Sequence, residues 1–120
     1  MAESRAGARV LEGTDPRVAA PLFKALGDPV RIRLVALVRQ SPQGEACFCE
    51  LADEFDLAQS SLSHHLKMLV EAGILSRERR GTWSWYRVEP EPLQALETLL
   101  RPGGPLRDEQ PRRPRSSGCG

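Results

Sequence analysis

The sequence predicts a mainly α fold completed by one β-hairpin, on three observations. Apolar residues recur at helical spacing in five stretches between Thr14 and Arg101. The period changes at Ile74 to two short strand-like stretches, the second rich in aromatic and β-branched residues and ending at Val88. Glycine and proline fall at the joints: Gly27-Asp28-Pro29, Ser41-Pro42-Gln43-Gly44 and Gly73.

The elements follow in order. Residues 1–14 are polar and contain glycine, which predicts a flexible arm. Thr14-Asp15-Pro16 reads as a helix start, because a cap residue precedes a proline whose missing N–H costs nothing in a first turn. Val18, Leu22 and Leu26 line one face of that helix, with Pro21 expected to delay or kink it. Asp28-Pro29 opens a second helix carrying Ile32, Leu34, Val35, Leu37 and Val38. A short third helix is expected from Phe48 to Phe55, and a fourth from about Gln59 to Ala72, with Leu62, Leu66, Leu69 and Val70 on one face. Gly73 ends it in the left-handed conformation that helix C-termini favour. Ile74–Arg79 and Trp83–Val88 read as strands joined by Arg80-Gly81-Thr82. A last helix, about Glu91 to Arg101, carries Leu93, Leu96, Leu99 and Leu100. Residues 102–120 lack periodic apolar positions and are expected to be a disordered tail carrying Cys119. Residues 15–101 therefore form the single expected domain.

At 120 residues, 40% hydrophobic and 28% charged, the composition is that of a small globular chain. No apolar run approaches the roughly 18 residues of a membrane span. The segment Met1–Val10 lacks a signal-peptide core, so no membrane association and a cytoplasmic location are expected. The net charge of +1 hides a basic patch. From Ser60 to Arg87, Lys67, Arg77, Arg79, Arg80 and Arg87 face only Glu71 and Glu78. Binding to phosphates depends on that local field rather than on the total.

Two short helices, a tight turn and a second helix with a polar N-terminal half make a helix-turn-helix, and the hairpin after it makes the wing of a winged helix. The fourth helix would bury Leu62, Leu66 and Leu69. It would present Gln59, Ser60, Ser61, Ser63, His64 and Lys67 to base edges and phosphates of double-stranded operator DNA. The small serines allow close approach to the groove. Arg79, Arg80 and Thr82 at the wing tip would meet the backbone or minor groove. His65 projects between Leu62 and Leu69, so it is expected to pack or hydrogen-bond near the core, and adjacent histidines are poorly placed to chelate one ion. The leucine faces of the terminal helices exceed what one small domain can bury, which predicts a homodimer. Its two recognition helices would enter successive major grooves of a palindrome.

Cys47-Phe48-Cys49 opens the third helix. Thiolates are soft ligands for thiophilic ions, and a helix N-terminus favours the thiolate. In a regular helix, side chains at i and i+2 point about 200° apart. Gripping one ion would then unwind the first turn and disturb the DNA-reading helix, which is a physical switch. Three cysteines, two of them one residue apart, do not make a structural disulfide framework.

Leu26-Gly27-Asp28-Pro29-Val30-Arg31-Ile32-Arg33-Leu34 resembles a helix opening of the ArsR/SmtB metal-sensing repressors. Ser60-Ser61-Leu62-Ser63-His64-His65-Leu66-Lys67-Met68-Leu69 with Glu71-Ala72-Gly73-Ile74-Leu75 resembles their recognition helix and its exit, and Arg79-Arg80-Gly81-Thr82-Trp83 with Tyr86-Arg87 their wing. The resemblance covers about residues 16–100 and implies a homodimer that holds operator DNA until an inducer binds. Arsenic-responsive members carry C-x-C here with a third cysteine three residues later; this chain has Ala52 there. Cys119 is the remaining thiol, so the implied ligand set is Cys47, Cys49 and Cys119, from one subunit or two. Cadmium- or lead-sensing relatives also have C-x-C followed by alanine, but draw on N-terminal cysteines that this chain lacks. Zinc-sensing relatives use histidines and carboxylates of the last helix, where this chain has Glu91 and Glu97 but no histidine. Three thiols suit a three-coordinate semimetal, so arsenite or antimonite is the expected inducer, with cadmium or lead and thiol oxidation as alternatives. A protein-binding winged helix without DNA is a further reading, which the basic wing opposes. No orienting group for a Cys/His nucleophile and no phosphate loop is apparent, so neither enzyme activity nor a catalytic cofactor is expected.

Overall fold

The computed structural model describes residues 15–107. Helix α1 (Pro16–Ala25) starts where Asp15 accepts a hydrogen bond from the Arg17 N–H at 2.8 Å. Helix α2 (Pro29–Gln40) starts in the same way, with Asp28 Oδ1 accepting from Val30 N–H at 2.8 Å. Each carboxylate satisfies one of the donors a helix N-terminus leaves open, and each proline takes the first helical position. Pro21 lies inside α1 on its exposed side, and the helix runs on past it to Ala25.

A 3-10 turn (Pro42–Gly44) leads into strand β1 (Glu45–Cys47) and helix α3 (Phe48–Glu54). Helix α4 (Gln59–Glu71) closes on Gly73, at φ 84°, with Gly73 N–H bonded to Val70 O at 2.9 Å and Ile74 N–H to Leu69 O at 3.0 Å. This paired arrangement requires a left-handed residue, which glycine supplies without strain. Strands β2 (Leu75–Arg80) and β3 (Trp83–Val88) form the hairpin, and helix α5 (Pro90–Leu100) follows. The hairpin register runs from Leu75↔Val88 to Arg80↔Trp83, so Arg80 belongs to the strand and the turn is Gly81-Thr82. Gly81, at φ 64°, takes the positive angle that two-residue hairpin loops demand.

Strand β1 is a departure from the sequence reading. It pairs antiparallel with β3, giving the sheet order β1-β3-β2. Three residues carry too little alternation to announce a strand, and the partner that makes them one lies about forty positions away.

Leu34, Val38, Leu51, Leu62, Leu66, Leu69, Ile74 and Leu75 form the fully buried core, which joins α2, α3, α4 and β2. Helices α1 and α5 pack on each other and contribute Ala19, Leu22, Leu96 and Leu99 to the same core. They leave Val18, Phe23 and Leu100 exposed. Residues 102–107, assigned to the tail on sequence grounds, form turns on the end of α5, with Leu106 N–H bonded to Leu99 O at 3.1 Å. The expected arm (1–14) and the rest of the tail, Cys119 included, lie outside the described residues. No helix among the described residues is long and apolar enough to cross a membrane.

Candidate nucleic-acid interface and cysteine pair

Helix α4 divides by its own period. Leu62, Leu66 and Leu69 are sealed in the core, while Gln59, Ser60, Ser61, Ser63, His64 and Lys67 are all exposed. Lys67 Nζ stands 3.9 Å from Glu71 Oε2, a loose pair in solvent that leaves the ammonium available to a phosphate. His65 is half-buried. Its Nδ1 lies 3.1 Å from Arg31, which also donates to Ala25 O at 2.6 Å. A guanidinium has only donors, so Nδ1 accepts and carries no proton. Arg31 thereby ties α4 to α2 and to the end of α1, which sets the angle at which the exposed face is presented. The two histidine rings are 6.0 Å apart, and the described residues contain no cluster of three or more His, Cys, Asp or Glu able to hold a metal ion.

The wing sorts its cations by strand parity. Alternate side chains of a strand leave opposite faces of the sheet, so Arg79 and Arg80 part company although they are neighbours. Arg77, Thr82, Trp83 and Ser84 line an open cleft of about 760 Å³ that Gln59, Ser63 and Lys67 line from α4. Arg79 shares the parity of Arg77, and its side chain is exposed. Arg80 has the other parity. It donates two hydrogen bonds to Glu45, at 2.8 and 2.9 Å, and two more to Glu78, at 2.7 and 2.9 Å, and it covers the ring of Trp85 at 4.9 Å. Arg87 joins the same Glu45 carboxylate at 2.9 Å. The Arg80 guanidinium holds Glu45 far below the usual carboxylate range, at about 2, with Arg87 adding to the effect. Arg80, read from sequence as a wing-tip contact, is thus engaged within the protein. Arg77, which lines the cleft, was absent from the sequence-derived contacts; strand parity with Arg79 is the signal that would have found it.

The cysteine pair also differs from expectation. Cys47 is the last residue of β1 and the N-cap of α3, with extended backbone angles of φ −88° and ψ 158°. It stands outside the helix, so the 200° separation expected of two helical positions does not apply. Cys47 and Cys49 have Cα atoms 5.4 Å apart and are disulfide-bonded, a local bridge rather than a framework between distant elements. Glu50 braces the junction, accepting from the Cys47 N–H at 2.9 Å. Phe48, between the two cysteines, lines the cleft between α4 and the wing. Ala52, one helical turn beyond Cys49, packs against the core.

Comparison with known proteins agrees with this geometry. A sequence profile described as bacterial regulatory protein, arsR family, matches residues 28–77. An arsenic resistance transcriptional regulator of Pseudomonas putida is 41% identical over 80 residues, covering 67% of this chain and 61% of the relative, so the match spans less than two thirds of that protein. An arsenical resistance operon repressor of Bacillus subtilis is 39% identical, over 62% of this chain and 69% of the relative. A crystal structure of an ArsR family transcriptional regulator superposes with a TM-score of 0.64 at 30% identity, covering 71% of this chain and 84% of that one. With α4, the wing and the intervening cleft in place, the chain belongs to the ArsR family of winged-helix transcriptional regulators.

Proposed function

We propose that this protein is a repressor that binds operator DNA as a homodimer in the cytoplasm and is released by arsenite or antimonite. The observation that carries the reading is the meeting of Cys47 and Cys49 at the junction of β1 and α3, beside the cleft that faces DNA. Reduced, the pair offers two adjacent soft donors that need no unwinding of α3 to converge. Cys119 is the candidate third donor. The arsenic-resistance relatives support the choice of inducer. Exposed Val18, Phe23 and Leu100 on the packed terminal helices supply the apolar surface for a second copy.

On α4, Gln59, Ser60, Ser61 and Ser63 supply the base-edge contacts, with His64 and Lys67 beside them, while Arg77, Arg79 and Thr82 approach the backbone. Binding of the inducer at Cys47 and Cys49 favours a conformation that fits DNA poorly. The test is operator release, followed by anisotropy of a labelled duplex against sodium arsenite, cadmium and lead. Release by arsenite that is lost in Cys47→Ser and in Cys49→Ser supports the reading. Release by cadmium or lead alone replaces the inducer. Arsenite stoichiometry in Cys119→Ser separates two-sulfur from three-sulfur binding.

One observation favours a second reading, in which oxidation of the dithiol is itself the signal: the pair is disulfide-bonded. Operator release by oxidised glutathione without arsenite would support it.

A further inference from the structure

Glu45 begins β1 two residues before Cys47, and its side chain is only 11% exposed. It accepts from Arg80 at the end of β2 through both carboxylate oxygens, and from Arg87 on β3 through one. Since β3 lies between β1 and β2, the Glu45–Arg80 pair reaches across the whole sheet, from the cysteine-bearing strand to the residue before the wing turn. Backbone pairing of β1 is short, consisting of Glu45↔Arg87, Ala46↔Tyr86 and Cys47↔Trp85. Ion pairs near solvent add little to stability, but a two-pronged arginine–carboxylate contact fixes orientation. The cluster therefore matters for where the wing sits rather than for whether the domain folds.

We propose that Glu45 is a positioning residue that couples the cysteine pair to the wing. Its carboxylate clamps Arg80 and Arg87, so a change in the backbone at Cys47 is carried through β1 to the wing. The clamp also withholds Arg80 from DNA. This inference rests on the reading of Cys47 and Cys49 as the sensing pair.

The test compares full-length Cys119→Ser protein with the same protein carrying Glu45→Gln or Arg80→Gln. The probe is a fluorescent duplex selected from random sequence by the parent. Its affinity is measured in the dithiol form, after addition of sodium arsenite, and after closure of the disulfide. Closure by oxidised glutathione removes two protons and two electrons from Cys47 and Cys49 and yields two reduced glutathiones. In the parent, the affinity ratio between the dithiol form and at least one of the other forms is expected to be about tenfold or more. Either substitution lowers that ratio at least ~threefold, with the urea midpoint little changed. A ratio preserved in both variants overturns the coupling while leaving the sensing pair intact. A parent ratio of one in both states overturns the sensing pair and the coupling together.

Discussion

Helix α4 and the wing both line the cleft proposed to face DNA, yet they use their polar residues differently. On α4 all six predicted contacts face outward, and among the described residues Lys67 pairs only loosely, with Glu71. On the wing, adjacent arginines have opposite fates: Arg80 is clamped by Glu45 and Glu78, while Arg79 is exposed on the other parity. A helix sorts its residues by a period internal to one short segment. A wing residue is sorted by the sheet face it occupies and by whatever distant strand completes that face.

The comparison can be broken most forcefully from beneath α4. Leu66 has no exposed surface, and Leu66→Ala is expected to cost about 2–5 kcal/mol of folding stability by urea denaturation. A smaller loss would show that α4 is not anchored by this core. Next, Ser63→Glu places an anion on the exposed face, and duplex affinity should fall about a hundredfold, or about 2.7 kcal/mol, with the urea midpoint unchanged. Retained affinity would remove α4 from the DNA contact.

The wing cations come third. Replacing Arg77 or Arg79 with alanine should each lower the slope of log affinity against log salt by about one, while Arg80→Ala leaves it unchanged. An equal effect from Arg80 would dissolve the distinction between the two sheet faces. The smallest effect is Gly81→Ala. An added Cβ meets nothing within 4 Å, so only the backbone at φ 64° resists it, at about 1 kcal/mol. The change should appear as a modest fall in thermal midpoint with little change in the salt slope.

Most of the fold was legible because its signals are local. Asp15-Pro16 and Asp28-Pro29 open helices, Gly73 closes one, and leucines at helical spacing mark the buried side of α4. The cysteine junction was less legible. The C-x-C spacing announces two thiols, but whether they converge depends on where the helix begins. Cys47 falls one residue outside it because β3 draws it into a strand. Glu45 was missed altogether, since its two arginine partners stand 35 and 42 residues away.

By itself, the sequence determined the helices, the caps at Asp15 and Asp28, the hairpin and the exposed face of α4. Each rests on steric and hydrogen-bonding preferences that act within a few residues. Only the tertiary structure decided which arginine is clamped within the protein, that a third strand exists, and that two sulfurs meet at its end. Those outcomes depend on β1 pairing with β3 across the chain, and a pairing between distant segments leaves no periodic trace in either one alone.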